Sequence, residues 1–504
     1  MIRKGITIML LIIVAGVMGT RVYAQSELRI GEAVDGNIAN PGDREQWTFF
    51  ALQNDIFSFR VEADDNFDPI LTILDPNGDA IIVTDDYNYP DSRDALAEAI
   101  TMPRTGTYTV IVTGYAGTTG TFTLTVLPGY ADLAFTADFG AIGDWAQTGE
   151  LIVDASAEQV FLELTGIQER GALVQPEAGP FADFFMEMNV DTVGGRNGWT
   201  VGAVLRWQSN GNHTVVEVRS QGSWRLVRVE GDQVRVIRDW TTHPAIQAGQ
   251  TTFRLGVLAV GDGFEVFYNG QFVGQVVDAG PQSGQIGVSL LTADAFGSST
   301  SVTVDSLLIT TPLEGDGVAV FPDQLVVGNA TQTMRELERR RLIPMGGSQA
   351  LNVSESFLER RSDGVDTLPL GRGTTFEAFA MSTTINLELQ DMGVAACGLM
   401  LRNVGENAYT VAFVDNFGGY GISERQGEVF TNGFYDENPA WIGETGHNLL
   451  VVVADDRMDY FVNGRYLGRA DISTVEGQVG NAILNYDPLT SICRFEDTWL
   501  WRWE

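Results

Sequence analysis

Three observations predict an all-β protein built of three β-sandwich domains. Between about residues 26 and 128, short apolar stretches alternate with polar residues and are separated by turns, the pattern of half-buried strands. Glycine is abundant, at 57 of 504 residues, and occurs with Thr, Val and aromatic residues that suit a pleated surface. A third observation is a duplication: FEVFYNGQFVGQ at 264–275 returns as MDYFVNGRYLGR at 458–469.

The N-terminus, MIRKGITIMLLIIVAGVMGTRVYAQS, has a basic start at Arg3 and Lys4. A short apolar run follows from Ile6 to Val17, then the small-residue pattern Val22-Tyr23-Ala24. This reads as a secretory signal peptide over 1–24, too short for a stable membrane span. The expected product is exported, to the periplasm, the cell surface or the medium, with no membrane span after cleavage.

The first domain is expected over 26–128. Its strands read as QWTFFAL (46–52), IFSFRVEA (56–63), PILTILD (69–75), AIIVTDD (80–86), TYTVIVTGY (107–115) and TFTLTVL (121–127). The order FDPILTILDPNGDAIIVTDDY (67–87), then TGTYTVIVTGYAGTTGTFTLTV (105–126), resembles the bacterial pre-peptidase C-terminal domain. That resemblance implies a small accessory β-sandwich found beside exported enzymes, without catalysis of its own.

The second and third domains are expected over 130–312 and 317–504, joined by the Gly/Pro-rich stretch TTPLEGDGVAVFP (310–322). They repeat each other. Gly202–Arg206 parallels Gly398–Arg402, and NHTVVEV (212–218) parallels NAYTVAF (407–413). GQIG (284–287) parallels GQVG (477–480), and SVTVDSLLI (301–309) parallels ICRFEDTWL (492–500). In the duplicated stretch, Asn269-Gly270 and Asn463-Gly464 supply the positive φ angles of a type I′ hairpin turn. The pattern, opened in the second domain by FTADFGAIGDW (135–145), resembles the concanavalin A-like, laminin-G-like jelly roll. The third domain lacks that opening. TMRELERRRLIP (333–344) stands there and reads as a short helix, with Thr333 and Glu336 as a capping box and Pro344 as its stop.

Composition excludes several functions. The formal charge is −35, which opposes binding to nucleic-acid phosphates. Lys4 is the only lysine, so a mature chain has no Schiff-base or P-loop lysine. His213, His243 and His447 have no metal-ligand spacing between them, and no nucleophile elbow or HExxH motif is present. Glycoside hydrolysis needs two facing carboxylates. The ExDxxE strand of jelly-roll glucanases is missing. The expectation is therefore a binding protein and not an enzyme, with a glycan or an envelope or extracellular protein as partner. A sugar-active hydrolase and a purely structural scaffold are the alternatives.

Candidate ligand-binding residues are the aromatic ones on or beside strands: Trp207, Trp224 and Trp240, with Tyr435 and Trp441 in the related region. Exposed rings stack on sugars, while buried ones fill cores. Calcium is the candidate cofactor, at Asp64, Asp65, Asp68, Asp85 and Asp86, because clustered carboxylates suit a hard cation. Asp75-Pro-Asn77-Gly-Asp79 reads as a plain hairpin turn. Cys397 and Cys493 align with Val201 and Val302, which points both pairs at the core. They are either a disulfide, worth about 4–5 kcal/mol on the chain-entropy model, or two buried thiols. The arginines Arg339, Arg340, Arg341, Arg360 and Arg361 either dock an acidic partner or pair with carboxylates of their own chain.

Overall fold

The structure, a computed structural model, describes residues 26–503 apart from 65, 89–91, 157, 232, 316–324, 327–328, 391–392, 406–407, 428, 439–440, 442–445 and 473–475. The expected signal peptide, Asp65 and part of the second linker lie outside the described residues. The fold is all-β: six sheets stacked in pairs, one pair in each of three stretches of chain.

The first pair consists of two five-stranded sheets. One runs in the order Ser26–Glu27, Arg44–Ala51, Gly106–Gly114, Pro69–Leu74, Ala80–Thr84. The other runs Ala33–Ile38, Gly120–Pro128, Ile56–Ala63, Ser92–Thr101, Asp86–Asn88. Alternation along the strands turns Trp47, Phe49, Phe59, Leu71, Tyr108 and Leu124 into one core. Asp75 closes the hairpin at 75–79: its Oδ1 accepts from Asn77 N at 2.8 Å and Asp79 N at 3.1 Å.

The second sandwich pairs an eight-stranded sheet with a seven-stranded one. Of the opening motif, Phe139 and Trp145 are buried 6.1 Å apart against its core. The third sandwich pairs two six-stranded sheets. The duplicated stretch is the same hairpin in both. Asn269 (φ 51°) and Gly270 (φ 80°) turn between Gly263–Tyr268 and Gln271–Val277. Asn463 (φ 52°) and Gly464 (φ 79°) turn between Arg457–Val462 and Arg465–Asp471. Each asparagine also clips the preceding strand. Its side chain accepts from Arg254 N at 2.9 Å or from Asn448 N at 2.8 Å. The repeated arginines, Arg206 and Arg402, are likewise structural. Both are buried with positive φ, and each guanidinium donates to loop carbonyls: Ala182 O and Gly261 O for Arg206, Glu377 O for Arg402.

Cys397 and Cys493 form a disulfide that joins the two sheets of the third sandwich. Val201 and Val302, their counterparts, are buried in the second core.

The helix spans Ala330–Arg339, starting earlier than the sequence suggests. Its capping box is Asn329 with Gln332. Thr333 and Glu336 lie inside it, buried, because Glu336 is needed elsewhere: its carboxylate accepts from Thr101 N at 3.4 Å and Val326 N at 2.9 Å. One face of the helix packs Met334 and Leu337 onto Leu450, Val452, Phe461 and Trp499 of the third sandwich. The arginines turn the other way. Arg339, fully buried, pairs with Glu265 of the second sandwich at 2.8 Å and donates to Thr101 of the first. Arg341 pairs with Asp183, and Arg340 faces Glu336 at 3.8 Å. The run does not face an outside partner; it ties three sandwiches together. Arg360 and Arg361 pair with Asp366 and Glu359. Burial raises the Glu336 carboxyl to about 7. Burial and the neighbouring Glu265 raise Glu338 to about 8.

Candidate functional site

The outer face of the seven-stranded sheet carries a cavity of about 1070 Å³. Strand alternation builds it. On His213–Arg219, Val216 and Val218 point into the core. His213, Val215, Glu217 and Arg219 therefore point outward. On Ser223–Glu230, Trp224 and Leu226 point in, and Arg225, Val227 and Val229 point out.

Three features line the cavity. At one end Trp207 stacks on His213, with ring centroids 4.2 Å apart. Burial lowers His213 to about 4, so its ring is neutral at physiological pH. Beneath the floor Glu217, only 1% exposed, takes Arg170 on one side and Arg225 on the other, each at 2.5 Å. Arg170 reaches it across two intervening strands, Gln285–Leu291 and Thr200–Trp207, at the small residues Ser289 and Gly202. At the far end two guanidiniums lie over the Trp240 ring, Arg219 at 4.1 Å and Arg225 at 4.4 Å. Their Nε–H groups are used, on Ser223 Oγ and Glu217. The floor between the ends is Val229, Val234, Val236, Ala172 and Ser289, with Glu169 and Asp294 on the rim. His213 and Arg219 are six residues apart, about 20 Å along an extended strand.

The structure brings Trp207 and Trp240 to one cavity and separates the other aromatic candidates from it. Trp224 is not exposed: it is fully buried, because its strand turns it into the core. Trp441 is also a core residue, packed on Tyr420 at 5.6 Å in the third sandwich. Tyr435 is 46% exposed, and its hydroxyl donates to Asp415 at 2.9 Å. The aspartates of the first sandwich serve its loops. Asp64 accepts from Thr121 N, Thr121 Oγ1 and Phe67 N, and these bonds hold its carboxyl below the ordinary range. Asp68 has Arg93 at 4.0 Å, Asp85 follows the strand Ala80–Thr84, and Asp86 begins Asp86–Asn88. Among the described residues no group of three His, Cys, Asp or Glu side chains is placed to hold a metal.

The third sandwich has different residues at each of these places. Pairing registers match Glu217, opposite Gly202, with Phe413, opposite Gly398. By the same logic Arg170 becomes Val365, Arg219 becomes Asp415 and Arg225 becomes Gly421. Trp240, in the bulge beside Arg225, corresponds to Tyr435, opposite Gly421, and Trp207 to Asn403. There Ala396, Met400, Val411, Phe413 and Leu484 form a buried apolar cluster. Tyr435 stacks over Phe413, centroids 6.4 Å apart.

The charged residues of the cavity escape a reading based on aromatic rings alone. The signal that could have found them is the alternation itself. His213, Glu217 and Arg219 share one face of their strand, which can be polar only if that face meets solvent or a ligand.

No family model and no curated protein matches the sequence. Among solved structures it is similar to a CBM66 carbohydrate-binding module from Bacillus subtilis, with 17% identity over 33% of this chain and 95% of that one, TM-score 0.23. Domains LG4-5 of the mouse laminin alpha1 chain share 11% identity over 64% of this chain and 85% of that one, TM-score 0.21. A Bacillus licheniformis beta-glucanase shares 11% identity over 36% and 99%, TM-score 0.27. At these scores the likenesses carry no argument about function.

Proposed function

We propose that this chain is an exported, non-catalytic carbohydrate-binding protein whose ligand lies in the cavity of the second sandwich. The single observation that carries the reading is the cavity floor: a long open trough ending at Trp207 on one side and at Trp240 with its arginines on the other. Its size is slightly above the upper end of ordinary ligand sites, about 300–1,000 Å³. A mixed polar and apolar floor suits sugar rings, which have apolar faces and hydroxyl edges. A binding role is supported by Glu217, the carboxylate under the floor, being engaged by two guanidiniums and not free to act as an acid or base. In this reading the first sandwich is the accessory module its resemblance implies, and the third braces the assembly.

A glycan-array screen of the full chain, with and without calcium, tests the proposal. Saturable binding to one sugar class, weakened at least tenfold by Trp207→Ala, is the expected result. Silence across the array in both conditions would overturn it.

A further inference from the structure

The two ends of the cavity differ in chemistry. At the Trp207 end the cavity meets an aromatic pair, Trp207 stacked on His213 and packed against Ala172, Val174 and Val204. At the other end the Trp240 π system already carries two guanidiniums, so the cavity meets cations there. Arg170, Arg219 and Arg225 all line the cavity; Glu217 beneath and Asp239 beside Arg219 offset two of the three charges, leaving one positive charge in excess. Glu169 and Asp294, the lining acids, lie at the same end but three strands across the sheet from Arg219, on the linked loops around Thr292. A guanidinium has five N–H donors. With Nε spent, Arg219 and Arg225 each keep a terminal pair of nitrogens, the fork that matches a carboxylate. Burial and the neighbouring Arg225 charge lower Arg219 from its ordinary value while Asp239 opposes them, and an anion brought between the two guanidiniums would offset their mutual repulsion.

We infer that the cavity takes an acidic glycan, one bearing a uronic-acid carboxylate, with Arg219 and Arg225 as the anion-binding pair and Trp207 stacking on a neighbouring ring. This rests on the carbohydrate reading above. The net charge of −35 does not forbid it. At physiological salt the Debye length is about 8 Å, so remote charges are screened while the arginines act at contact. The remote charge slows approach; the local pair sets affinity.

The test uses uronic-acid oligosaccharides (galacturonate, glucuronate and mannuronate tetramers), each paired with its carboxyl-reduced neutral counterpart. An acidic member should bind, and reduction should weaken it at least tenfold. Arg219→Gln should cost about 10- to 100-fold, the range of a charge-assisted hydrogen bond. Arg219→Lys should recover part of that loss. Because Arg219 contacts Ser223, Trp240 and Asp239 and not Glu217, its replacement leaves the Glu217 pairs in place, and an unchanged melting curve checks the fold. Equal binding of acidic and neutral partners would overturn the inference and leave the carbohydrate reading intact. So would silence from all acidic members while neutral glycans bind elsewhere on an array. Silence from every glycan would sink both.

Discussion

The second and third sandwiches share a hairpin, a buried arginine plug and a pair of core positions, yet their outer faces are opposites. One exposes Arg170, Arg219 and Arg225 around Glu217; the other has Val365, Asp415, Gly421 and Phe413 at the same places. The inner faces must fill a core, so both repeats keep them apolar. The outer face is free of that demand, and there the repeats diverged into a charged trough and a closed apolar cluster. What differs between two copies of one fold is therefore a better guide to function than what they hold in common.

The sharpest way to break the comparison is to give the third sandwich the core of the second. Replacing Cys397 and Cys493 together by valine should lower its stability by about 4–5 kcal/mol, less whatever the valines regain in packing. Guanidinium unfolding measures this. An unchanged midpoint would mean that the valine pair suffices. Next is Glu217→Ala, which strands two guanidiniums. The expected cost is about 3 kcal/mol, the low end for a broken buried pair because the cavity can hydrate the arginines. The triple change Arg170→Val, Glu217→Phe, Arg225→Gly, copying the third sandwich, should restore most of that stability and abolish glycan binding. Asn269→Ala and Asn463→Ala should each cost about 1 kcal/mol, since alanine is strained at positive φ. A large difference between the two would show that the hairpins are not equivalent. Smallest is Tyr435→Ala, which should leave glycan binding unchanged.

Proton linkage separates the site from the junction. Glu336 at about 7 and Glu338 at about 8 keep protons in the native state that the unfolded chain loses near 4.5. Stability from these groups is fully present at acid pH and falls as pH rises from about 5 through 8, so the melting temperature should fall over that range. His213, lowered to about 4, works oppositely and only in acid: it weakens the fold as pH drops below about 6.5 towards 4. Glycan binding should therefore stay flat between pH 6.5 and 8 while the melting point moves.

Much of this architecture was legible because hairpins and alternating strands are local. The Asn-Gly turns and the strands at 56–63 and 69–74 follow from neighbouring residues alone. Ser92–Thr101 gave no such signal. Its SRDALAEAIT is alanine-rich because it is squeezed at the junction, where Ala99 is buried and Glu98 accepts from Ala131 N and Leu313 N. Glu336 misled for the same reason, being claimed by a distant strand instead of its own helix cap. The outer face was hidden by one residue. Aligning NHTVVEV with NAYTVAF places Glu217 beside Ala412, whereas the sheets place it beside Phe413. A slip of one reverses which side chains face the core. Trp224 and Trp240 show the same limit: residue type marks both, and only strand direction tells a core ring from a cavity ring.

The bond between Cys397 and Cys493 also has a mechanical consequence. The two cysteines are 96 positions apart and lie on opposite sheets. Tension between the ends of the third sandwich can peel away the strands outside that loop, but it cannot draw out the chain enclosed by the bond. About 330 Å of contour, at 3.3–3.6 Å per residue, stays locked. Under load the third sandwich could therefore lengthen only through the strands outside the loop, and reducing conditions would release the locked length as well.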